Sequence, residues 1–236
     1  MSQTARSEVF RRLRRPLRRL HSRRMIRNVF ATFAALFVMA AISASAQATN
    51  RAVLVLGDSI AAGYGVEPEE GFVSLLQKKV QEAKLPFTVV NGGVSGDTTS
   101  GGLRRIDWLL RRKIDVLLIE LGGNDGLRGI TPGASRTNLQ AIIDKAKAKY
   151  PDVRVIVAGM QMPTNMGRDY TDEFAAIFKT VAKQNAATLI PFLLQGVGGD
   201  PKLNQPDMIH PNPAGHRIVA ENCWTALKPV LDELAK

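Results

Sequence analysis

Hydrophobic positions in residues 49–236 alternate between short continuous runs and longer amphipathic stretches. The continuous runs are rich in Val, Ile and Leu and are bounded by Gly, Asn or Pro, which is typical of strands buried on both faces of a parallel sheet. They are residues 52–56, 87–90, 116–121, 153–158 and 188–190. The pattern therefore predicts five strands.

The amphipathic stretches between these runs predict helices. In the first of them, Phe72, Leu75, Leu76 and Val80 recur at spacings of three and four and would lie on one helix face. The five predicted helices are residues 70–84, 101–112, 134–150, 172–186 and 213–234. Strands and helices that alternate in this way predict an α/β fold with three layers, α/β/α, in which helices cover both faces of a five-stranded parallel sheet.

Charge divides the chain into two regions. The formal net charge is +11, but ten arginines and a single glutamate lie within the first 28 residues, which leaves about +2 for the rest. The fourteen uncharged residues 29–42 follow, and then a run of small residues from Ser43 to Ala48. This order is typical of a secretory signal, with cleavage expected after Ala46 or Ala48. The alternative, a basic arm that binds nucleic acid, lacks the interleaved aromatic residues that such arms carry.

Two regions are therefore predicted: an Arg-rich extension plus signal peptide at 1–48 and one domain at 49–236. Met25 would open a signal of ordinary length and is an alternative translation start. Fourteen helical residues span only about 21 Å, short of a bilayer core of about 30 Å, so no stable membrane anchor is expected after cleavage. These features predict a periplasmic or secreted protein without a nucleic-acid partner.

Polar clusters follow four of the predicted strands. They are residues 57–59, 91–97, 122–125 and 207–210, and they are rich in Gly, Ser, Asn, Asp and His. Because the carboxyl ends of parallel strands meet at one edge of a sheet, ligands of such folds bind there. We therefore expect these clusters to form a single site.

A serine and a histidine in these clusters predict acyl transfer. His210 stands three residues after Asp207, a spacing that lets the carboxylate fix the imidazole tautomer. An imidazole base converts the hydroxyl of a serine such as Ser59 into a nucleophile. His216 has no carboxylate at such a spacing and is predicted to be a surface or capping residue of the last helix. The alternative for His210 itself is an ordinary surface histidine.

Acyl transfer also requires donors for the oxyanion of the tetrahedral intermediate. The backbone N–H groups of Ser59 and Gly96 and the carboxamide of Asn124 are candidates on neighbouring loops. Taken alone, Gly96 would be a plain turn glycine and Asn124 a turn or helix-capping residue. Their occurrence together with Ser59 and His210 favours the catalytic interpretation.

The four polar clusters, in this order, resemble the conserved blocks of the SGNH hydrolases, also called GDSL-type esterases. Segments 94–99, 120–129 and 163–170 are similar to the exported thioesterase I, protease I and lysophospholipase, or arylesterase, subfamily. The resemblance implies a flavodoxin-like SGNH fold and hydrolysis of carboxylic esters and thioesters through an acyl-enzyme, with no metal or cofactor. It implies a catalytic triad of Ser59, Asp207 and His210 and an oxyanion hole formed by Ser59, Gly96 and Asn124.

The resemblance further implies a mobile substrate loop after the asparagine block. Its residues are Asp125, Gly126, Leu127, Arg128, Gly129 and Ile130. Gly92 and Gly93 stand where relatives carry bulkier small residues, which predicts a wider floor of the acyl pocket. Met160, Met162 and Met166 would either line an acyl groove or fill the core, and Trp108 and Trp224 are predicted to be core or helix-packing residues.

Two other classes of function remain as alternatives. A metal-dependent hydrolase would use Asp58, Asp207 and His210 as ligands. A non-catalytic module would cradle an anion with the backbone amides of residues 91–96.

Overall fold

The structure is a computed structural model, and it describes residues 51–236. The predicted Arg-rich extension, the signal peptide, the alternative start at Met25 and the cleavage positions at Ala46 and Ala48 lie outside the described residues.

Five strands and seven α-helices alternate along the described chain. The strands are β1 (Arg51–Gly57), β2 (Phe87–Gly93), β3 (Val116–Glu120), β4 (Arg154–Ala158) and β5 (Thr188–Ile190). The helices are α1 (Ser59–Ala62), α2 (Phe72–Glu82), α3 (Thr99–Leu109), α4 (Gly123–Leu127), α5 (Pro132–Lys149), α6 (Arg168–Gln184) and α7 (Pro213–Leu234). The five predicted strands and five predicted helices are confirmed within a few residues at their ends, whereas the short helices α1 and α4 were not predicted.

All five strands are parallel and lie in the order β2-β1-β3-β4-β5. The register sets Gly57 of β1 opposite both Gly93 of β2 and Glu120 of β3. These three strands therefore end in one row, and their following loops open on the same edge. After β1 the chain adds β2 on one side of it and then β3, β4 and β5 on the other. The strand order therefore reverses between β1 and β3, and such folds bind their ligands at this point.

Helices pack against one another on each face of this sheet. On one face α2 packs against α7, and on the other α3 packs against α5 and α5 against α6. The predicted helical stripe is confirmed, because Phe72, Leu76 and Val80 are buried and Leu75 packs against the core. Trp224 of α7 packs against the core as predicted, and Cys223 beside it is buried. None of the helices within residues 51–236 has the length and apolar character needed to cross a membrane.

Trp108 departs from its predicted role. The side chain, near the end of α3, is 65% exposed and lines a surface groove with Leu109 and Arg112. The core-facing positions of α3 are Gly102 and Ile106, so Trp108 falls on the outer side of the helix. The prediction that Trp108 belongs to the core was wrong because hydrophobicity alone does not give the side of a helix that a single residue occupies.

Strand β2 continues through two glycines that were predicted to lie in a loop. A Cβ atom at Gly92 would lie 2.8 Å from the Val55 carbonyl oxygen, and one at Gly93 would lie 2.3 Å from the Ala62 nitrogen. Backbone of β1 and α1 occupies the space that side chains would fill. The two glycines therefore admit neighbouring backbone and do not enlarge a pocket, so the predicted wider floor of the acyl pocket was wrong.

Substitution of Gly93 tests this packing. We expect Gly93→Ala to lower the free energy of unfolding by about 1–3 kcal/mol, since the added methyl must displace the α1 backbone. Gly133→Ala is a matched control at a helical glycine with no atom within 4 Å of the added Cβ. We expect that variant to be about 0.5 kcal/mol more stable than the natural protein. Urea unfolding of both variants would contradict the packing argument if their stabilities changed equally.

Candidate active site

Three side chains from the two ends of the described chain form one hydrogen-bonded line. Ser59 Oγ lies 2.8 Å from His210 Nε2, and His210 Nδ1 lies 2.6 Å from Asp207 Oδ2. Ser59 is the first residue of α1, directly after β1, while Asp207 and His210 belong to the loop between β5 and α7. The fold thus brings together the three residues that the sequence singled out.

Hydrogen bonds within the loop that carries His210 hold it in place. Asp207 Oδ1 accepts hydrogen bonds from the N–H groups of Ile209 and His210, at 2.9 and 3.0 Å. The His210 carbonyl accepts from the Gln205 N–H at 2.7 Å, and a short antiparallel bridge joins Asn204 to Pro211. These contacts fix the imidazole before any substrate arrives.

The ionised state of Asp207 fixes the tautomer of His210. Partial burial acts to raise the pKa of Asp207, but the hydrogen bonds from His210 and Ile209 outweigh it and lower that pKa to about 2. Asp207 is therefore an anion at neutral pH and can only accept, so His210 Nδ1 must donate to it. Nε2 is then the ring nitrogen that faces the Ser59 hydroxyl, which is the arrangement that a general base requires.

Ser59 occupies the first turn of α1 because Asp58 caps that helix. Asp58 Oδ1 accepts from the Ile60 N–H at 3.0 Å, and Gly63 ends the helix in the left-handed conformation at φ 74°. The N–H groups of a first turn have no partner within the helix. The Ser59 N–H is therefore available to a ligand at the positive end of α1.

Two further candidate donors lie on loops that contact the nucleophile segment. Asn124, in α4, donates from Nδ2 to Asp58 Oδ2 at 3.1 Å, which places its carboxamide beside Ser59. The Val94 N–H donates to the Gly57 carbonyl at 3.0 Å and ties the loop that carries Gly96 to the end of β1. The Gly96 N–H has no acceptor within residues 51–236. The three predicted oxyanion donors thus lie on adjoining segments at the row where β2, β1 and β3 end.

Sequence reasoning missed an arginine that joins these segments. Arg105, in α3, donates to the carbonyls of Gly57 at 2.9 Å and Gly92 at 2.6 Å, and it pairs with Asp97 at 2.6 Å. One side chain therefore ties the nucleophile segment to both ends of the glycine block. Arg104 and Arg105 are adjacent basic residues of α3, and the sequence gave no signal that Arg105 turns inward.

The predicted substrate loop has an anchored part and an exposed part. Asp125 is fully buried and accepts hydrogen bonds from the Thr99 N–H at 2.8 Å and the Ser135 hydroxyl at 3.0 Å. Gly126 is buried too, against Met162, and the Ile130 carbonyl accepts from the Tyr170 hydroxyl at 2.9 Å. Leu127, Arg128 and Gly129 are exposed. The Arg128 side chain donates to the Gly96 carbonyl at 3.0 Å, which joins this exposed part to the glycine block. Closure of the segment over a substrate stays a prediction.

His216 is not the surface or capping residue that the sequence predicted. The side chain is fully buried between α7 and α2, where Nδ1 accepts from the Phe72 N–H at 3.3 Å. Burial lowers the pKa of His216 to about 4, so the ring is neutral at pH 7. The capping role belongs to Asn212, whose side chain accepts from the N–H groups of Ala214 and Gly215.

Neither alternative class of function matches the arrangement of these groups. Asp58 is hydrogen-bonded to Asn124 and the backbone and not to Asp207 or His210. No group of three His, Cys, Asp or Glu within residues 51–236 could hold a metal ion. In the proposed anion cradle, the N–H groups of Gly93 and Val94 already donate to protein oxygens. Too few free amides remain there to surround an anion.

A comparison with known proteins decides the family. The model of the GDSL-like lipase/acylhydrolase family matches residues 55–218, which include all four polar clusters. This chain belongs to that family. The hydrolase is 41% identical to esterase TesA of Pseudomonas aeruginosa over 194 residues, which is 82% of this chain and 96% of the relative. It is 35% identical to thioesterase 1/protease 1/lysophospholipase L1 of Escherichia coli K12, over 76% of this chain and 85% of the relative.

Solved structures agree with this assignment. The hydrolase superposes with a TM-score of 0.73 on the psychrotrophic esterase EstA from Pseudoalteromonas sp., in a structure inhibited by monoethylphosphonate. The two chains are 33% identical, and the match covers 78% of the hydrolase and the whole of EstA. The predicted α/β fold of the SGNH type is confirmed, and the hydrolase is a serine esterase that acts on ester bonds.

Proposed function

We propose that this esterase hydrolyses carboxylic esters and thioesters that carry an apolar acyl chain, and that it acts in the periplasm or outside the cell. The observation that carries the proposal is the hydrogen-bonded line from Ser59 through His210 to Asp207, which lies beside an apolar groove. Small-molecule esters are the substrates, with neither a nucleic-acid partner nor a membrane anchor in the processed protein. The export address rests on the Arg-rich leader and its apolar run, and N-terminal sequencing of the processed protein tests it.

The groove has a volume of about 380 Å³, which is within the range of small-molecule sites. Residues next to the catalytic groups border it: Ile60 follows Ser59, Gly123 precedes Asn124, and Ile209 precedes His210. The rest of the wall is mainly apolar and includes Met160, Met162, Leu127, Phe192 and Leu194. Two of the three clustered methionines therefore line the groove, and their flexible side chains suit acyl chains of different shape.

The geometry supports a two-step reaction. Ser59 Oγ forms a bond to the carbonyl carbon while its proton passes to His210 Nε2. The N–H groups of Ser59 and Gly96 and the Asn124 carboxamide would bind the resulting oxyanion. Collapse of this intermediate breaks the bond to the alcohol or thiol, which leaves with the proton from His210.

Water then releases the acid from the enzyme. His210 accepts a proton from water as the water oxygen bonds to the acyl carbon, and collapse breaks the ester bond to Ser59. The proton returns to the serine oxygen. The Asp207 anion stabilises the imidazolium in both steps and does not itself take the proton.

The acyl-chain dependence of the reaction tests the role of the groove. We expect kcat/KM for p-nitrophenyl esters to rise about fourfold per added methylene until the groove is filled, since each buried CH₂ contributes about 0.8 kcal/mol. A panel that also contains an acyl thioester and a lysophospholipid would compare leaving groups at one acyl length.

Leu194→Trp is the variant that assigns this dependence to the groove. The added bulk should flatten the rise with acyl length and leave the acetate ester largely unaffected. Lys179→Trp, at an exposed position on α6, is the matched control and should keep the natural profile. The same flattening in both variants would contradict the assignment of the acyl chain to this groove.

A further inference from the structure

Two carboxyl groups that the reaction above does not use lie directly beneath the nucleophile. Asp58 is 2% exposed and Glu120 is fully buried. Glu120 ends β3, in register with Gly57, and its Oε2 accepts from the N–H groups of Asp58 at 3.1 Å and Ala61 at 3.2 Å. A Cβ atom at Gly57 would lie 2.4 Å from this oxygen, so the absence of a side chain there makes room for Glu120.

The two groups are satisfied unequally by their surroundings. Both oxygens of Asp58 accept hydrogen bonds, Oδ1 from the Ile60 N–H and Oδ2 from the Asn124 carboxamide. Glu120 Oε1 is buried and has no partner within residues 51–236. A buried anionic oxygen without a donor is costly, and two adjacent buried carboxylates cannot both ionise. These contacts favour a neutral Glu120 beside an ionised Asp58.

The electrostatic environment agrees with this division. Burial, followed by the charge of Asp58, raises the pKa of Glu120 well above its usual range. Burial also raises the pKa of Asp58, but the hydrogen bonds from Ile60 and Asn124 limit the rise to about 6. At neutral pH one proton therefore resides on Glu120. The nearby thiol of Cys223 stays protonated and adds no negative charge, because burial and Glu120 raise its pKa far above its usual range.

We propose that Asp58 and Glu120 are a proton-sharing pair of positioning residues, in which neutral Glu120 keeps Asp58 ionised and Asp58 orients the Asn124 carboxamide toward the oxyanion. Asn124 Nδ2 carries two hydrogens. The one donated to Asp58 Oδ2 fixes the plane of the amide and leaves the other to the substrate oxygen. The hydrogen bond to a carboxylate is charge-assisted, so it holds this orientation more firmly than a neutral acceptor would. The inference rests on Asn124 as an oxyanion donor.

A double-mutant cycle tests whether Asp58 acts through Asn124. In Asp58→Asn the new side chain would still cap α1, because asparagine is as good a capping residue as aspartate, but its amide hydrogens would face those of Asn124. We expect Asp58→Asn to lower kcat by about 10–100-fold with little change in KM, and Asn124→Ala to lower it by about 10²–10³-fold, as the loss of one oxyanion donor does. The double variant should match Asn124→Ala within about twofold. Effects that multiply would overturn the positioning role.

The cycle separates this inference from the assignments below it. If Asn124→Ala kept its natural kcat, the oxyanion role of Asn124 would fall, and the inference with it. Asp115→Asn is the matched control: Asp115 lies just before β3, at the opposite end of the sheet from Glu120, and accepts from the Ala52 N–H. It should leave kcat unchanged. If Asp115→Asn lowered kcat as much as Asp58→Asn, removal of any such carboxylate would explain the effect, and the proposal would be overturned.

Substitutions of Glu120 test where the proton resides. Glutamine is the neutral isostere of a protonated glutamate, and its amide oxygen can still accept from the N–H groups of Asp58 and Ala61. We therefore expect Glu120→Leu to lower kcat and Glu120→Gln to restore it to within about fivefold of the natural enzyme, with both variants checked for folding by thermal unfolding. If Glu120→Gln were as impaired as Glu120→Leu, while folded, Glu120 would be needed as an anion and the proposal would be wrong.

Discussion

Replacement of Ser59 by alanine is expected to lower kcat for a short p-nitrophenyl ester by about 10⁴-fold or more, because no other group can form the acyl-enzyme. The Ser59 hydroxyl makes its one side-chain hydrogen bond within residues 51–236 to His210, and Ser59 is the first residue of a helix that Asp58 caps. The free energy of unfolding should therefore change little. Steady-state kinetics and urea unfolding of the purified variant measure both quantities.

Ser74→Ala is the matched control for this substitution. Ser74 is exposed on α2, and its loss should leave kcat and stability unchanged. A phosphonate that labels serine hydrolases should label the natural protein and the Ser74 variant but not the Ser59 variant. Retention of most of the activity by Ser59→Ala would remove the basis for the nucleophile assignment.

The two histidines of the described chain should respond to alanine in opposite ways. His210→Ala removes the proposed base, which is hydrogen-bonded to Ser59, and we expect kcat to fall by about 10³-fold or more at unchanged stability. His216→Ala leaves the buried Phe72 N–H without an acceptor and opens a cavity between α2 and α7. That variant should lose about 1–3 kcal/mol of stability and keep most of its kcat at temperatures where it remains folded.

The pH dependence of stability provides an independent measure for His216. Its pKa is lowered from 6.5 to about 4 in the folded protein, so the unfolded chain binds more protons in this range. The natural protein should lose stability as pH falls from about 6.5 to 4, and His216→Ala should lose less. A larger loss of activity in His216→Ala than in His210→Ala would reverse the choice of catalytic base.

The fold and the proximity of Ser59, Asp207 and His210 could be predicted because their signals are local in sequence. Buried parallel strands require continuous Val, Ile and Leu runs, and the helices between them carry an apolar stripe. Asp207 and His210 lie within one loop, where the spacing alone brings the two side chains together. Parallel strands then bring Ser59 to the same edge, so no long-range packing had to be known.

Other features depend on packing between distant segments, and their signals were ambiguous. Gly92 and Gly93 looked like a loop because glycine is rare within strands, yet the α1 and β1 backbones leave no room for any other residue. His216 looked like a surface residue because a buried histidine needs a partner, and the Phe72 N–H that supplies it lies 144 positions away. Glu120 did carry a signal: a carboxyl group at the end of an otherwise apolar buried strand must have a specific environment.

The burial of Cys223 has a practical consequence for studying motion in this enzyme. It is the only cysteine of the chain, and burial beside Glu120 raises the pKa of its thiol, so it offers no reactive thiolate to alkylating reagents at neutral pH. The natural enzyme therefore needs no cysteine removed before a labelling experiment. One cysteine introduced at Arg128 would accept a spin label or fluorophore at a single place, on the exposed segment whose closure over substrate is predicted.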